Sequence, residues 1–237
     1  MAVQACGLLQ KLTVDDVSFV DDVHPSHMFC LNAPLVCLRR ITGADAVGSI
    51  ISQAMGTCPK EAISISDCPF DGLGKRRSFR PNISSMDLFL EGIDASVAAV
   101  QQLICFWNGE NLSLVNCSGV SASFLRGVPT EETPPDLCRL RIVDCAHASA
   151  EGLMTLAKTR EIQSAIDALG LGDPDGGSCV PLVELHVHGK GPAINAKQAA
   201  WFTQHLDTFS WDTVASDGTQ YTWDTYAQQL IVLGKRD

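Results

Sequence analysis

The feature that most constrains this chain is an apolar pair at i and i+2, followed by a small or apolar residue at i+5, repeated along most of its length. The clearest copy lies in Leu137 to Arg160. There Leu140 and Ile142 alternate as one buried face of a short strand, and Cys145 follows. The period then changes: Leu153, Leu156 and Ala157 recur at helical spacing behind Ser149, a predicted N-cap, with Glu151 in the first turn. A single strand, turn and helix cannot bury both apolar faces, so the chain must stack such units. The other copies are Leu12/Val14/Val17, Val36/Leu38/Ile41, Ile63/Ile65/Cys68, Leu88/Leu90/Ile93, Leu112/Leu114/Cys117, Leu185/Val187/Lys190 and Phe209/Trp211/Val214. Successive first members are 24, 27, 25, 24, 28, 45 and 24 residues apart, and only Lys190 breaks the i+5 rule.

A period of this length is that of leucine-rich repeats, roughly 20–29 residues per unit. Three copies carry Asp or Asn before the cysteine: Ile63-Ser-Ile65-Ser-Asp67-Cys68, Leu112-Ser-Leu114-Val-Asn116-Cys117 and Leu140-Arg-Ile142-Val-Asp144-Cys145. On these residues, residues 9 to 214 resemble leucine-rich repeat proteins of the cysteine-containing subclass. The unit at Leu137 to Arg160, with Gly152-Leu153 and Leu156 after the cysteine, looks most like the repeats of fungal F-box proteins. The resemblance implies an α/β solenoid, or horseshoe, with about eight parallel strands on a concave face that binds proteins. An F-box helix set does not fit in the eight residues before Leu9. The resemblance therefore implies the substrate-recognition region of a ubiquitin ligase, with the adaptor-binding F-box lost, truncated or encoded upstream.

The expected domain plan is one array over residues 1–214, with an irregular insertion at about 161–180, and a C-terminal cap over 215–237. The insertion accounts for the 45-residue spacing. It combines a helix from Glu151 to Leu169 with a loop, Gly170 to Gly177, rich in turn residues. Further helices are expected at Ala44 to Met55, closed by Gly56, and at Ala95 to Leu103 behind Asp94. Another runs to Leu206 behind the capping box Asn195/Gln198. After a turn at Gly218, Trp223, Ala227, Leu230 and Ile231 share one helical face, which predicts a capping helix. Residues 69–82 and Pro129 to Pro135 read as loops, and Asp15, Asp16, Asp21 and Asp22 as a solvated acidic edge.

Composition narrows the partner. The chain has 237 residues, is 46% apolar and carries a formal charge of -10. An acidic surface repels phosphate backbones, which argues against nucleic acid. The ten cysteines are spread along the chain rather than gathered into a disulfide framework. The repeat explains Cys68, Cys117 and Cys145 as small buried residues. No basic segment followed by an apolar run opens the chain, and no run reaches membrane-spanning length. The sequons at Asn82, Asn111 and Asn116 read as chance matches. Together these readings predict a cytoplasmic or nuclear protein.

Catalytic motifs are sparse. Neither Gly-x-Ser-x-Gly nor Gly-x-Gly-x-x-Gly occurs. Cys145 with His147 would need an exposed thiol, which a core position denies. Lys75, Arg76, Arg77 and Arg80 form a basic run suited to an anion or to nuclear import, or simply a solvated loop. His186 and His188 share a strand face with Glu184, which offers a metal-dependent enzyme as the rival reading. A site needs three or four convergent ligands, and only Glu184 joins the two histidines on that face. A repeat remnant without a partner is the third reading.

The outward strand positions carry the preferred reading. Residues i-1, i+1 and i+3 should form rows across the strands. The first row is Lys11, Leu35, Ala62, Asp87, Asn111, Arg139, Glu184 and Thr208. The second is Thr13, Cys37, Ser64, Phe89, Ser113, Arg141, His186 and Ser210. The third is Asp15, Arg39, Ser66, Glu91, Val115, Val143, His188 and Asp212. Arg139, Arg141, Glu184, His186 and His188 gather on adjacent strands, with Phe89 as an apolar anchor two strands away. The expected function is protein recognition without catalysis or cofactor. The patch should be locally basic, more so below about pH 6.5 as histidines charge, and so should attract an acidic segment.

Overall fold

The computed structural model describes residues 10–18, 33–43, 47, 50, 60–70, 83–105, 107–127, 136–172 and 178–234. In chain order the elements are β1 (Lys11–Asp15), β2 (Leu35–Arg39), β3 (Lys60–Ser66), β4 (Ile83–Glu91), α1 (Ala98–Cys105), β5 (Trp107–Asn108) and β6 (Asn111–Val115). Then come α2 (Ala122–Gly127), β7 (Arg139–Val143), α3 (Ala150–Ala168), β8 (Glu184–Lys190), α4 (Ala196–His205), β9 (Thr208–Val214), β10 (Gln220–Asp224) and β11 (Gln229–Leu233). They form a mixed α/β architecture around one open, mostly parallel sheet of eleven strands. The path through it is β1-β2-β3-β4-β6-β7-β8-β9-β10-β11, and β5 pairs β4 to one side.

The eight apolar pairs lie in eight successive parallel strands and in one register: Leu12 opposite Val36, then Ile63, Leu88, Leu112, Leu140, Leu185 and Phe209. From Val36 onward every pair member is at most 5% exposed. Leu12 and Val14 differ from the expectation. They are only partly buried, because β1 is the first described strand of the sheet and, among the described residues, pairs on one side only. Burying such a side chain contributes roughly 1.5–3 kcal/mol, so the column from β2 to β9 is the main cohesive element.

The residue at i+4 explains why i+5 turns inward. Asp16, Arg40, Asp67, Gly92, Asn116, Asp144 and Gly189 all have left-handed backbones, with φ between 47° and 72°. Asp, Asn and Gly reach that region at lower cost than other residues, which is why they recur there. The residue after five of these seven turns drops into the core: Ile41, Cys68, Ile93, Cys117 and Cys145. The ladder runs one bond beyond the strands: Asp67 N–H donates to Glu91 O, Asn116 to Val143 O and Asp144 to His188 O. Crowding adds to the choice of glycine. A Cβ on Gly92 would collide with the Asp67 carboxylate, and one on Gly189 with that of Asp144.

The helices lie on the core side. Helix α3 starts behind Ser149, whose hydroxyl accepts Gly152 N–H, and it buries Leu153, Leu156 and Ala157. Helix α4 carries the expected reciprocal capping box, Asn195 with Gln198. Helix α1 starts at Ala98, later than expected. Asp94 Oδ1 accepts from Ser96 N and Oγ, and Ala95 N–H donates to Ser118 O, so residues 95–97 form a turn tied to the segment after β6. Val47 and Ile50 are helical. The rest of the Ala44 to Met55 helix, the basic run at 75–80, the acidic loop at 129–135, residues 173–177 and the cap's last three residues lie outside the described set.

Two expectations at the C-terminal end need correction. The cap is not a helix but the antiparallel hairpin β10–β11, which pairs onto β9. The helical spacing of Trp223, Ala227, Leu230 and Ile231 lost to the open edge of β9, whose unpaired backbone groups β10 satisfies. Trp223 packs on Phe209 with ring centroids 6.4 Å apart, and Asp224 Oδ1 closes the turn by accepting from Tyr226 and Ala227 N–H. The last i+5 residue also departs from the inward pattern: Val214 keeps the apolar rule in sequence but, like Lys190, is exposed. No helix among the described residues is long and apolar enough to cross a membrane.

Candidate functional site

Strand pairing brings the predicted residues together. Arg139 stands opposite Glu184, Arg141 opposite His186, and Val143 opposite His188. Phe89 lies in the row of Ser113 and Arg141, two strands from Arg141, and is half-buried. All of them project from the face away from the core.

The side chains of this patch form a network. Glu184 holds Arg139 Nε at 3.5 Å with one oxygen and His186 Nε2 at 2.5 Å with the other. The other side of the Arg139 guanidinium reaches Glu110 Oε2 at 3.3 Å and Asn111 Oδ1 at 3.0 Å. His186 Nδ1 lies 2.5 Å from Ser210 Oγ, which lies 3.1 Å from His188 Nε2. The two imidazoles are stacked at 17°, with centroids 6.1 Å apart. A carboxylate only accepts, so Nε2–H of His186 donates to Glu184. Ser210 Oγ lies between Nδ1 of His186 and Nε2 of His188 and joins the two rings in one chain of hydrogen bonds, in which each bond polarises the next.

The network changes the expected electrostatics. Arg139 is paired with two carboxylates and so adds little net positive charge. Burial, then the neighbouring His186, hold the His188 pKa below the ordinary histidine value; Asp212 opposes this and Arg141 adds to it. His188 therefore charges at lower pH than the sequence suggested, because burial disfavours the charged form. Arg141 is the exception. It is exposed and makes no hydrogen bond or ion pair among the described residues.

Both ring nitrogens of His186 and Nε2 of His188 are engaged in this chain. Among the described residues no three His, Cys, Asp or Glu side chains converge as metal ligands. Serine, imidazole and carboxylate in line follow the order of an acyl-transfer triad, but such a triad also needs donors aimed at an oxyanion. Strand N–H groups lie in the plane of the sheet, not along its face. The arrangement is suited to rigid presentation of polar groups.

Ser210 and Glu110 were not singled out from the sequence. Ser210 was legible, since it follows His186 in the same row. Glu110 precedes its strand, and no period marks it. Cys68, Cys117 and Cys145 are buried free thiols; contact with Cys117, then burial, push the Cys145 thiol up. No family model, curated protein or solved structure matches the chain.

Proposed function

We propose that this chain is a recognition module of the leucine-rich repeat type, and that its outward face over β4 to β9 docks a protein partner without catalysis. The observation that carries this reading is Arg141: an exposed guanidinium, unpaired among the described residues, beside a polar network. Arginine is enriched at interface hot spots because its planar fork holds a carboxylate through two hydrogen bonds. The network around Arg139, Glu184, His186 and His188 supplies a preorganised polar rim, and Phe89 an apolar contact. The 24–28-residue period and the left-handed Asp, Asn and Gly at the strand ends support the solenoid reading, in which this face is concave. On the F-box resemblance, the partner is a ubiquitin-ligase substrate, with the adaptor bound by an F-box encoded upstream; a reading frame for one in the upstream DNA is the check.

The test is the double replacement Arg139→Glu with Arg141→Glu, in a comparative pull-down from native cell extract. Recovery of specific partners should fall while the thermal midpoint stays near that of the parent. Unchanged recovery of every partner removes the site. A collapsed midpoint shows that the arginines are structural.

A further inference from the structure

We infer that the partner segment lies across the strands in an extended conformation, with a carboxylate on Arg141 and an apolar side chain on Phe89, three residues apart in its sequence. This deepens the recognition reading above and rests on it.

The argument starts from charge. Of the two outward arginines of β7, Arg139 is taken by Glu110 and Glu184, and Arg141 is open. The row neighbours of Arg141 are Ser113 and His186, neither of them a carboxylate. An incoming carboxylate is thus the missing counter-charge at this point of an acidic protein.

Shape supplies the second anchor. Outward from β4, β6 and β7 project Phe89, Val115 and Val143, all half-buried, which form an apolar shelf beside Arg141. Ser113 Oγ, between Phe89 and Arg141 in the row, is closed off from solvent and has no hydrogen-bond partner among the described residues. The row therefore offers a partner a cation at one end and an apolar ring at the other.

Spacing then selects the register. Phe89 and Arg141 are two strands apart, about 9.6 Å at roughly 4.8 Å per strand, and an extended segment advances about 10 Å in three residues. A helix would need between six and seven residues for the same span, at about 1.5 Å each. An extended chain also places residues i and i+3 on opposite sides in strict β geometry, so the segment must twist or take a polyproline-like turn of three residues, for which the advance is about 9.3 Å. Both geometries give the same separation. Asp87 and Glu91 flank Phe89 on its own strand, held by the Asn111 amide and the Ser66 hydroxyl. The residue that meets Phe89 must therefore be uncharged or have basic neighbours.

The test is selection of short random peptides displayed on phage against the whole purified chain, repeated with Arg141→Glu and Phe89→Ser. Wild type should enrich peptides with Asp or Glu three residues from an aromatic or aliphatic residue. Arg141→Glu should cost those peptides about tenfold or more in affinity, and should shift selection towards Lys or Arg at the acidic position. Phe89→Ser should relax the apolar position alone. Enriched peptides that survive Arg141→Glu but are lost with Arg139→Glu or His188→Ala overturn this inference and leave the broader recognition reading standing. No enrichment at all, from protein whose thermal midpoint is unchanged, overturns both.

Discussion

Strands β6 and β7 on one side, and β9 on the other, begin with the same apolar pair and end differently. After Leu112/Leu114 and Leu140/Ile142, Asn116 and Asp144 turn left-handed, and Cys117 and Cys145 drop into the core. After Phe209/Trp211, Thr213 keeps the strand straight. It points inward, fully buried, and its hydroxyl is satisfied by Pro192 O and Trp211 Nε1 at 2.9 Å each. The strand then runs on to Val214, exposed, and takes up a hairpin. Strand β8 is intermediate: Gly189 is left-handed, yet pairing continues to Lys190. Strands β1 to β4 and β6 to β8, each with a left-handed residue at i+4, are followed in the sheet by a parallel strand, and β9, without one, is followed by an antiparallel strand.

The largest effect should come from emptying the shared column. Ile142→Ala should cost about 2–5 kcal/mol in urea melts, and Leu12→Ala, on the half-buried first strand, clearly less. Equal costs would show that β1 is as enclosed as β7.

The turn itself is the next target. Asn116→Val forces a β-branched residue into the left-handed region and should cost about 1–2 kcal/mol, while Asn116→Gly should be neutral or mildly stabilising. If the two behave alike, the turn is not what directs the chain inward.

The i+5 position can be probed by thiol chemistry. In the native protein Cys145 should react with iodoacetamide at least about tenfold more slowly than a cysteine introduced as Lys190→Cys, because one thiol is buried with a raised pKa and the other exposed. Mass spectrometry of unreduced peptides should find no Cys117–Cys145 disulfide.

A smaller effect is expected with pH. His188 has a lowered pKa when folded, so its contribution is present above about pH 6.5 and is lost as the pH falls through the folded value. Wild type should therefore lose more stability on acidification than His188→Asn, with Glu184 and Asp212 common to both. Parallel pH profiles would show that His188 is not a linked group. Smallest of all, Arg141→Glu should leave the denaturation midpoint almost unchanged, while Arg139→Glu, which breaks exposed pairs with Glu110 and Glu184, should cost up to about 1 kcal/mol.

The sequence alone determined which residues face each other across the parallel strands. Period-two alternation sets the inward side of each strand, and the repeat length sets its partner, so the rows through Arg139, Arg141 and Phe89 could be read from spacing. The left-handed positions were half legible, as Asp and Asn before cysteine, because steric tolerance at positive φ belongs to the residue itself. Tertiary structure decided what spacing cannot encode. The hairpin β10–β11 overrode a helical period because an unpaired strand edge offered more than an isolated helix face. Arg139 is paired by Glu110 and Glu184, and burial, then the neighbouring His186, lower the His188 pKa; both depend on what the fold packs around these side chains. Local pattern fixes where a side chain points; its charge and its partners depend on what the fold brings next to it.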